Sequence, residues 1–299
     1  GETLGRFPVD TVELLRDKLQ QAAVAQRSWA DVPIAERAQA MLRVRDQVVA
    51  RADELAELIS RENGKTRTDA LATEVFPAAM AAGYYARKAR KFLQPRRIAT
   101  SSFILGNKVS RVRRVPWGVI GIISPWNYPF GIPFSEVVMG LLAGNAVLLK
   151  VASQAQLVGH ALERCFQAAG LPAGILAYVN LPGSVAGRSM LQAGIGKLFF
   201  TGSVAVGKQL MAQAAETLTP VCLELGGNDP MLVCPDADLK RAAAGAVWAG
   251  MQNCGQSCAA VERVYVHQDV YQPFLELLAE KVRALRVGVD TDHQVDLGA

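Results

Sequence analysis

The stretch "MQNCGQSCAAV", Met251 to Val261, holds two cysteines four residues apart, Cys254 and Cys258. A pair at this spacing can be half of a metal site, a disulfide, buried packing, or a nucleophile beside a bystander. No second cysteine pair occurs at zinc-ligand spacing. The three histidines, His160, His267 and His293, lie far off in sequence, so no metal is expected. The remaining cysteines are Cys165, Cys222 and Cys234, an odd total of five in 299 residues. That count argues against a secreted disulfide framework and for a cytoplasmic protein with reduced thiols. A nucleophilic cysteine requires a lowered pKa or an adjacent base, and donors for the oxyanion that its attack creates.

A second chemical signal is "TGSVAVG", with Gly202, Ser203 and Gly207 opening a helix. It is neither G-x-G-x-x-G nor a Walker loop. Glycines admit close backbone approach, and free N–H groups at a helix N-terminus suit a phosphate. A plain strand–helix turn fits the same residues. Lys150, at the end of another apolar run, makes a dinucleotide compatible with the pattern.

These residues need a frame. Apolar residues make up 51% of the chain and charged residues 20%, which suits a globular protein with a sizeable core and two domains. The net charge of +5 is modest. Its main basic cluster, "RKARKFLQPRR" (Arg87 to Arg97), fits a solvated helix end and the loop after it. No nucleic-acid module accompanies it, so no nucleic-acid partner is expected. The opening "GETLGRFPVD" has no apolar signal core, and a start without Met reads as processed or trimmed. The longest apolar tract, "GIPFSEVVMGLLAGNAVLL", carries Glu136 and Gly144-Asn145, so a helix, a turn and a strand are expected there, not a membrane span.

From Asp10 to about Phe92 apolar residues recur at helical spacing, with Asp10 and Thr11 as candidate N-caps and Gly64 as a C-cap. "SSFILGNKVSRVRRV" predicts two strands around Gly106-Asn107, a hairpin. After Pro116 short apolar strands alternate with helices: "GVIGIIS", "AVLLK", "LAYVN" and "KLFF", with helices over 133–143, 156–169, 185–193 and 204–215. "PVCLELGG", a helix capped by Asp236 or Asp238, "ERVYVHQ" as a strand and a last helix from Tyr271 follow. The alternation predicts α/β architecture with a parallel sheet covered on both faces. In such a sheet "SPWNYP", "KVAS", "TGSVAVG" and "ELGG" all fall at the carboxyl ends of strands, where ligands bind.

Together "VPWGVIGIISPWNYPF", "GNAVLLK", "FTGSVAVGK", "LELGGNDP" and "NCGQSC" resemble, in order and spacing, the NAD(P)-dependent aldehyde dehydrogenase superfamily of non-acylating type. The resemblance runs along the whole chain and is strongest from Val115 to Arg263. It implies a Rossmann-like parallel sheet domain over 1–96 and 116–225, an oligomerisation hairpin over 97–115, and a partial catalytic domain over 226–299. It implies that Cys258 is the nucleophile, Glu224 the general base and Asn127 the oxyanion donor. A glutamate in that role benefits from partial burial. For the NAD(P)+ cofactor it implies Pro125, Trp126, Lys150, Ser153, Gly187, Gly202, Ser203 and Gly207. Cys254 falls at a variable position and reads as a bystander. A small-molecule aldehyde is the implied substrate, and a homodimer or homotetramer the implied assembly.

Several positions depart from the family's pattern. Ser153 stands where many NAD-preferring members carry glutamate, which predicts that NADP+ is accepted. Glu136 stands where many carry lysine, so no proton relay is carried over from that lysine. Ser135 replaces a common aromatic, leaving Tyr128, Ile132 and Ser135 as pocket candidates. The sequence given stops at "VDLGA", where relatives continue their catalytic domain. An inactive fragment that keeps the fold as a structural or interaction protein is therefore one alternative. A CoA-acylating relative is another, disfavoured because it does not need Glu224 as a base.

Overall fold

The computed structural model describes residues 3–99, 104 and 106–298. The N-terminal third is helical: α1 (Val12–Asp31), α2 (Ile34–Ala50), α3 (Ala52–Asn63), α4 (Arg67–Ala70), a π-helical turn (Leu71–Val75) and α5 (Phe76–Leu93). Of the two candidate caps, Thr11 caps α1, its Oγ1 accepting from the Leu14 N–H at 3.2 Å. Asp10 instead accepts from the Asn180 N–H and pairs with Lys18. Gly64 ends α3 at φ 88°, a left-handed position that costs glycine nothing.

Strands β1 (Arg96–Ile98) and β2 (Ser110–Val112) pair antiparallel, Arg97 facing Arg111. The hairpin therefore begins earlier than predicted, inside the basic stretch expected to be a loop. Most of the predicted first strand, at 101–103, lies outside the described residues. Every residue of both strands is exposed, so no apolar alternation marks them.

The central unit then alternates: β3 (Val119–Ile123), α6 (Gly131–Leu142), β4 (Ala146–Lys150), α7 (Gln156–Ala168), β5 (Leu176–Tyr178), α8 (Gly183–Ala193), β6 (Lys197–Gly202), α9 (Val204–Ala215) and β7 (Val221–Leu225). All pairs in this sheet are parallel, in the order β5-β4-β3-β6-β7. β3 and β4 are buried along their whole length, which is why they read as unbroken apolar runs. Each buried Val, Ile or Leu there contributes about 1.5–3 kcal/mol. The chain winds outward from β3 to β5, then returns to β6 on β3's other side. That reversal leaves a crevice at the carboxyl ends of β3 and β6.

The last segment is β8 (Asp229–Val233), α10 (Leu239–Met251), β9 (Val261–Val266) and α11 (Tyr271–Arg283), with β8 and β9 parallel. Asp238 caps α10 through the Arg241 N–H. β8 was not expected. Pro230 lies beside its bulge, and a proline argues against a strand unless it sits at an edge or a bulge. Buried side chains form two clusters, one spanning Leu15 to Ala214 and a small one around Val233, Ala243, Ala246 and Phe274. No helix among the described residues is long and apolar enough to cross a membrane.

Candidate active site

A cleft of about 800 Å³ opens at the sheet's switch point. Its walls are the loop after β3 (Ser124–Asn127), the end of β4 and its loop, the start of α8, the β6–α9 turn, the end of β7, and the turn after α10. Cys258, Glu224 and Asn127 all line it, although they lie on three separated parts of the chain.

Cys258 is exposed on the turn after α10. Gly227, just after β7, lets that turn approach: a Cβ there would stand 2.8 Å from the Cys258 carbonyl oxygen. Such a contact excludes every residue with a side chain unless the backbone moves. Asn127 is tied to the same turn, its Nδ2 donating to the Gln256 carbonyl at 2.9 Å. An amide nitrogen carries two N–H groups, so one remains for a ligand. Cys254 is half-buried, and burial is the main influence raising its thiol pKa, which fits a bystander.

Glu224 differs from expectation. It is exposed, not partly buried, because β7 is the edge strand and its carboxyl end faces the open cleft. The carboxyl that lacks a partner is Glu136 on α6, whose Oε2 is buried without a hydrogen-bond partner. Burial first, and then the charge of Glu224, push its pKa up from 4.5 to about 8. The folded protein therefore holds a proton that the unfolded chain releases, and stability falls as pH rises from about 4.5 to about 8. Glu136→Gln removes that slope. Its advantage over the wild type in urea denaturation should grow between those limits, to on the order of 1–3 kcal/mol. Equal midpoints at pH 8 would contradict the assignment.

Of the other predicted residues, Pro125, Trp126, Lys150, Ser153, Gly187, Gly202 and Ser203 line the cleft. Gly207 does not. It packs inside, where a Cβ would meet Leu225 Cδ2 at 2.9 Å. Ser203 caps α9, its Oγ accepting from the Val206 N–H at 3.3 Å. Lys150 is 5% exposed, and burial lowers its pKa. No carboxylate pairs with it among the described residues. Ser124 Oγ and Thr201 Oγ1 are also buried without a partner. Ile132 lines the cleft, while Tyr128 and Ser135 are not among its lining residues. The Tyr128 ring lies instead 4.4 Å from the Lys65 ammonium.

Sequence reasoning missed several groups. Arg188 and Glu262 line the cleft, and Glu62 occupies the N-terminal amides of α7, accepting from Leu157 and Val158 at 2.8 and 2.9 Å. Lys65, Asp69, Glu74 and Asn253 hold the loops that carry Asn127 and Cys258 from beneath.

Sheet and crevice define a parallel α/β protein whose switch point carries a thiol, an amide and a carboxylate. A sequence model of the aldehyde dehydrogenase family matches residues 1–299. The chain is 38% identical over 295 residues to a 4,4'-diapolycopene aldehyde oxidase of a Methylomonas species, covering 99% of this chain and 56% of that protein. It superposes on a succinate-semialdehyde dehydrogenase from Burkholderia pseudomallei with a TM-score of 0.95 at 34% identity, covering 100% of this chain and 61% of that one. It is equally similar in fold to an NADP-dependent enzyme of E. coli: TM-score 0.95, 32% identity, and coverage of 100% and 61%. The chain belongs to the aldehyde dehydrogenase family. It spans a little over half the length of the curated relatives it matches, 56% and 57% for the first two.

Proposed function

We propose that the protein oxidises an aldehyde to a carboxylic acid with NADP+, accepting NAD+ as well, through Cys258, Asn127 and Glu224. The observation that carries this reading is the convergence of those three side chains on one cleft. The cleft also suits a dinucleotide. Lys150 offers a desolvated ammonium without a carboxylate partner, and Ser124 and Thr201 offer unpartnered hydroxyls. Lys150 and Arg188 are the cations among the described lining residues, matching phosphate charge.

The Cys258 sulfur adds to the aldehyde carbon, and the carbonyl π electrons become an alkoxide. The free N–H of Asn127 donates to that oxygen, where the charge develops. A nicotinamide dinucleotide held by Lys150, Ser153, Gly202 and Ser203 would supply the hydride acceptor. Loss of hydride from the thiohemiacetal carbon leaves a thioester on Cys258. Glu224 takes a proton from water, whose oxygen adds to the thioester carbon. Cleavage of the C–S bond then releases the acid and restores the thiolate.

The relatives are named for 4,4'-diapolycopene aldehyde and succinate semialdehyde, so what carries over is the aldehyde group. Ser153 lies exposed at the cleft beside Lys150, and no acid at that position opposes a 2′-phosphate. Steady-state kcat/KM measured with both cofactors and an aldehyde panel should show NADP+ used at least as well as NAD+. A preference for NAD+ of about 100-fold, some 2.7 kcal/mol, would overturn the cofactor assignment.

A further inference from the structure

Beneath the cleft lies a polar cluster that the chemistry above leaves unused. Lys65 and Glu74 are both completely buried and pair at 2.5 Å. The Lys65 ammonium also donates to the backbone carbonyl of Asn127 at 2.8 Å. The second carboxylate oxygen of Glu74 accepts from the N–H groups of Phe130 and Gly131 at 2.7 and 3.1 Å. The pair therefore grips both ends of the segment from Asn127 to Gly131.

The other half of the site is held from the same place. Asn253 Nδ2 donates to the Asn127 carbonyl and to the Gln256 carbonyl, each at 3.1 Å. The Asn253 N–H donates to Asp69 Oδ2 at 3.2 Å. Asn253 and Cys254 stand at φ 54° and 58°, left-handed positions that non-glycine residues keep only when their surroundings enforce them. Glu74 sits in the π-helical turn, where the extra residue re-aims side chains; such turns concentrate at functional sites. Its backbone closes on α6, since a Cβ on Gly131 would lie 3.3 Å from the Glu74 Cα.

Stability alone does not account for this arrangement. A buried ion pair is commonly no more stabilising than apolar residues of the same volume. Here the further bonds of the pair go to backbone groups of Asn127, Phe130 and Gly131, and Asn253 joins the same Asn127 carbonyl to the Cys258 turn.

We propose that Lys65 and Glu74, with Asp69, are positioning residues that fix the Asn127 amide against the Cys258 turn. This rests on the roles assigned above to Asn127 and Cys258. The residues touch neither substrate nor cofactor and act through the loops they hold.

The test uses Lys65→Met, Glu74→Gln and Asn127→Ala, singly and combined, in the protein at its full natural length. Displacing catalytic groups by about 1 Å costs on the order of 10²-fold. Lys65→Met should therefore slow reduced-cofactor formation in the first turnover by about 10- to 100-fold. Cofactor affinity should stay unchanged, because Lys65 is no part of the cleft wall. Glu74→Gln, which keeps an acceptor for Phe130 and Gly131, should lose less. In the Asn127→Ala background the Lys65→Met effect should vanish, which a merely structural role would not produce. An equal loss in both backgrounds, or a wild-type rate in Lys65→Met, overturns the proposal.

Hydrogen exchange gives a readout independent of activity and of the Lys65 variant. The Phe130 and Gly131 amides should exchange at least about tenfold faster in Glu74→Ala, since the buried acceptor that protects them is gone. Unchanged protection overturns the proposal. An active wild type with unaffected Lys65→Met and Glu74→Ala refutes only the positioning role. A wild type without aldehyde-dependent activity, but with the exchange change, refutes the proposed reaction instead.

Discussion

Cys258→Ala should lower aldehyde-dependent formation of reduced cofactor by at least about 10⁴-fold, while leaving the fold and cofactor binding intact. The size follows from what the sulfur does. In the proposed reaction no thiohemiacetal then forms from which hydride could leave, and removal of a nucleophile that works with a base and an oxyanion site is close to removal of the whole unit. Cys258 is exposed on its turn, so alanine there costs little stability. Cys254→Ala is the internal control. That thiol is half-buried, with its pKa raised mainly by burial, and its loss should leave the rate nearly unchanged. Turnover measured on both variants under identical conditions separates the two cysteines. Activity surviving in Cys258→Ala would refute the assignment.

Glu224→Gln should give a different signature. The amide cannot accept a proton from water, so acylation proceeds and hydrolysis stalls. One equivalent of reduced cofactor per subunit should appear as a burst, followed by a steady rate about 10²- to 10⁴-fold below the wild type. A variant that lost the burst together with the steady state would place Glu224 in an earlier step. The exposure of Glu224 in the structure bears on this prediction. Its carboxyl group is exposed at the edge of the sheet, while Glu136 is the carboxyl whose pKa burial raises.

The parallel sheet was legible because its buried strands are unbroken apolar runs, as in "VIGII" and "AVLLK", punctuated by helices of ordinary length. β8 was not legible, since Pro230 lies within it beside a bulge, and a proline speaks against a strand. The first strand of the hairpin was hidden by Arg96 and Arg97, whose side chains are both in solvent and show no alternation.

At the site, the candidate residues Cys258, Glu224 and Asn127 were legible through collinear motifs, not local physics. A lone exposed cysteine or strand-end glutamate carries no distinguishing pattern. Gly207 was assigned to the cofactor but serves the packing of α9 on β7, which a glycine in a helix signals equally well. Lys65 and Glu74 gave no signal at all. A lysine in a turn and a glutamate in a helix look solvated in sequence, and only the fold reveals that both are shut inside.

In the proposed reaction the thiol of Cys258 carries the acyl group between hydride loss and hydrolysis. Peptide mass spectrometry of Glu224→Gln, quenched in acid after incubation with an aldehyde and NADP+, tests this most directly. The peptide containing Cys258 should carry the mass of the acyl group, in proportion to the reduced cofactor released. Reduced cofactor accumulating with that peptide unmodified would contradict it.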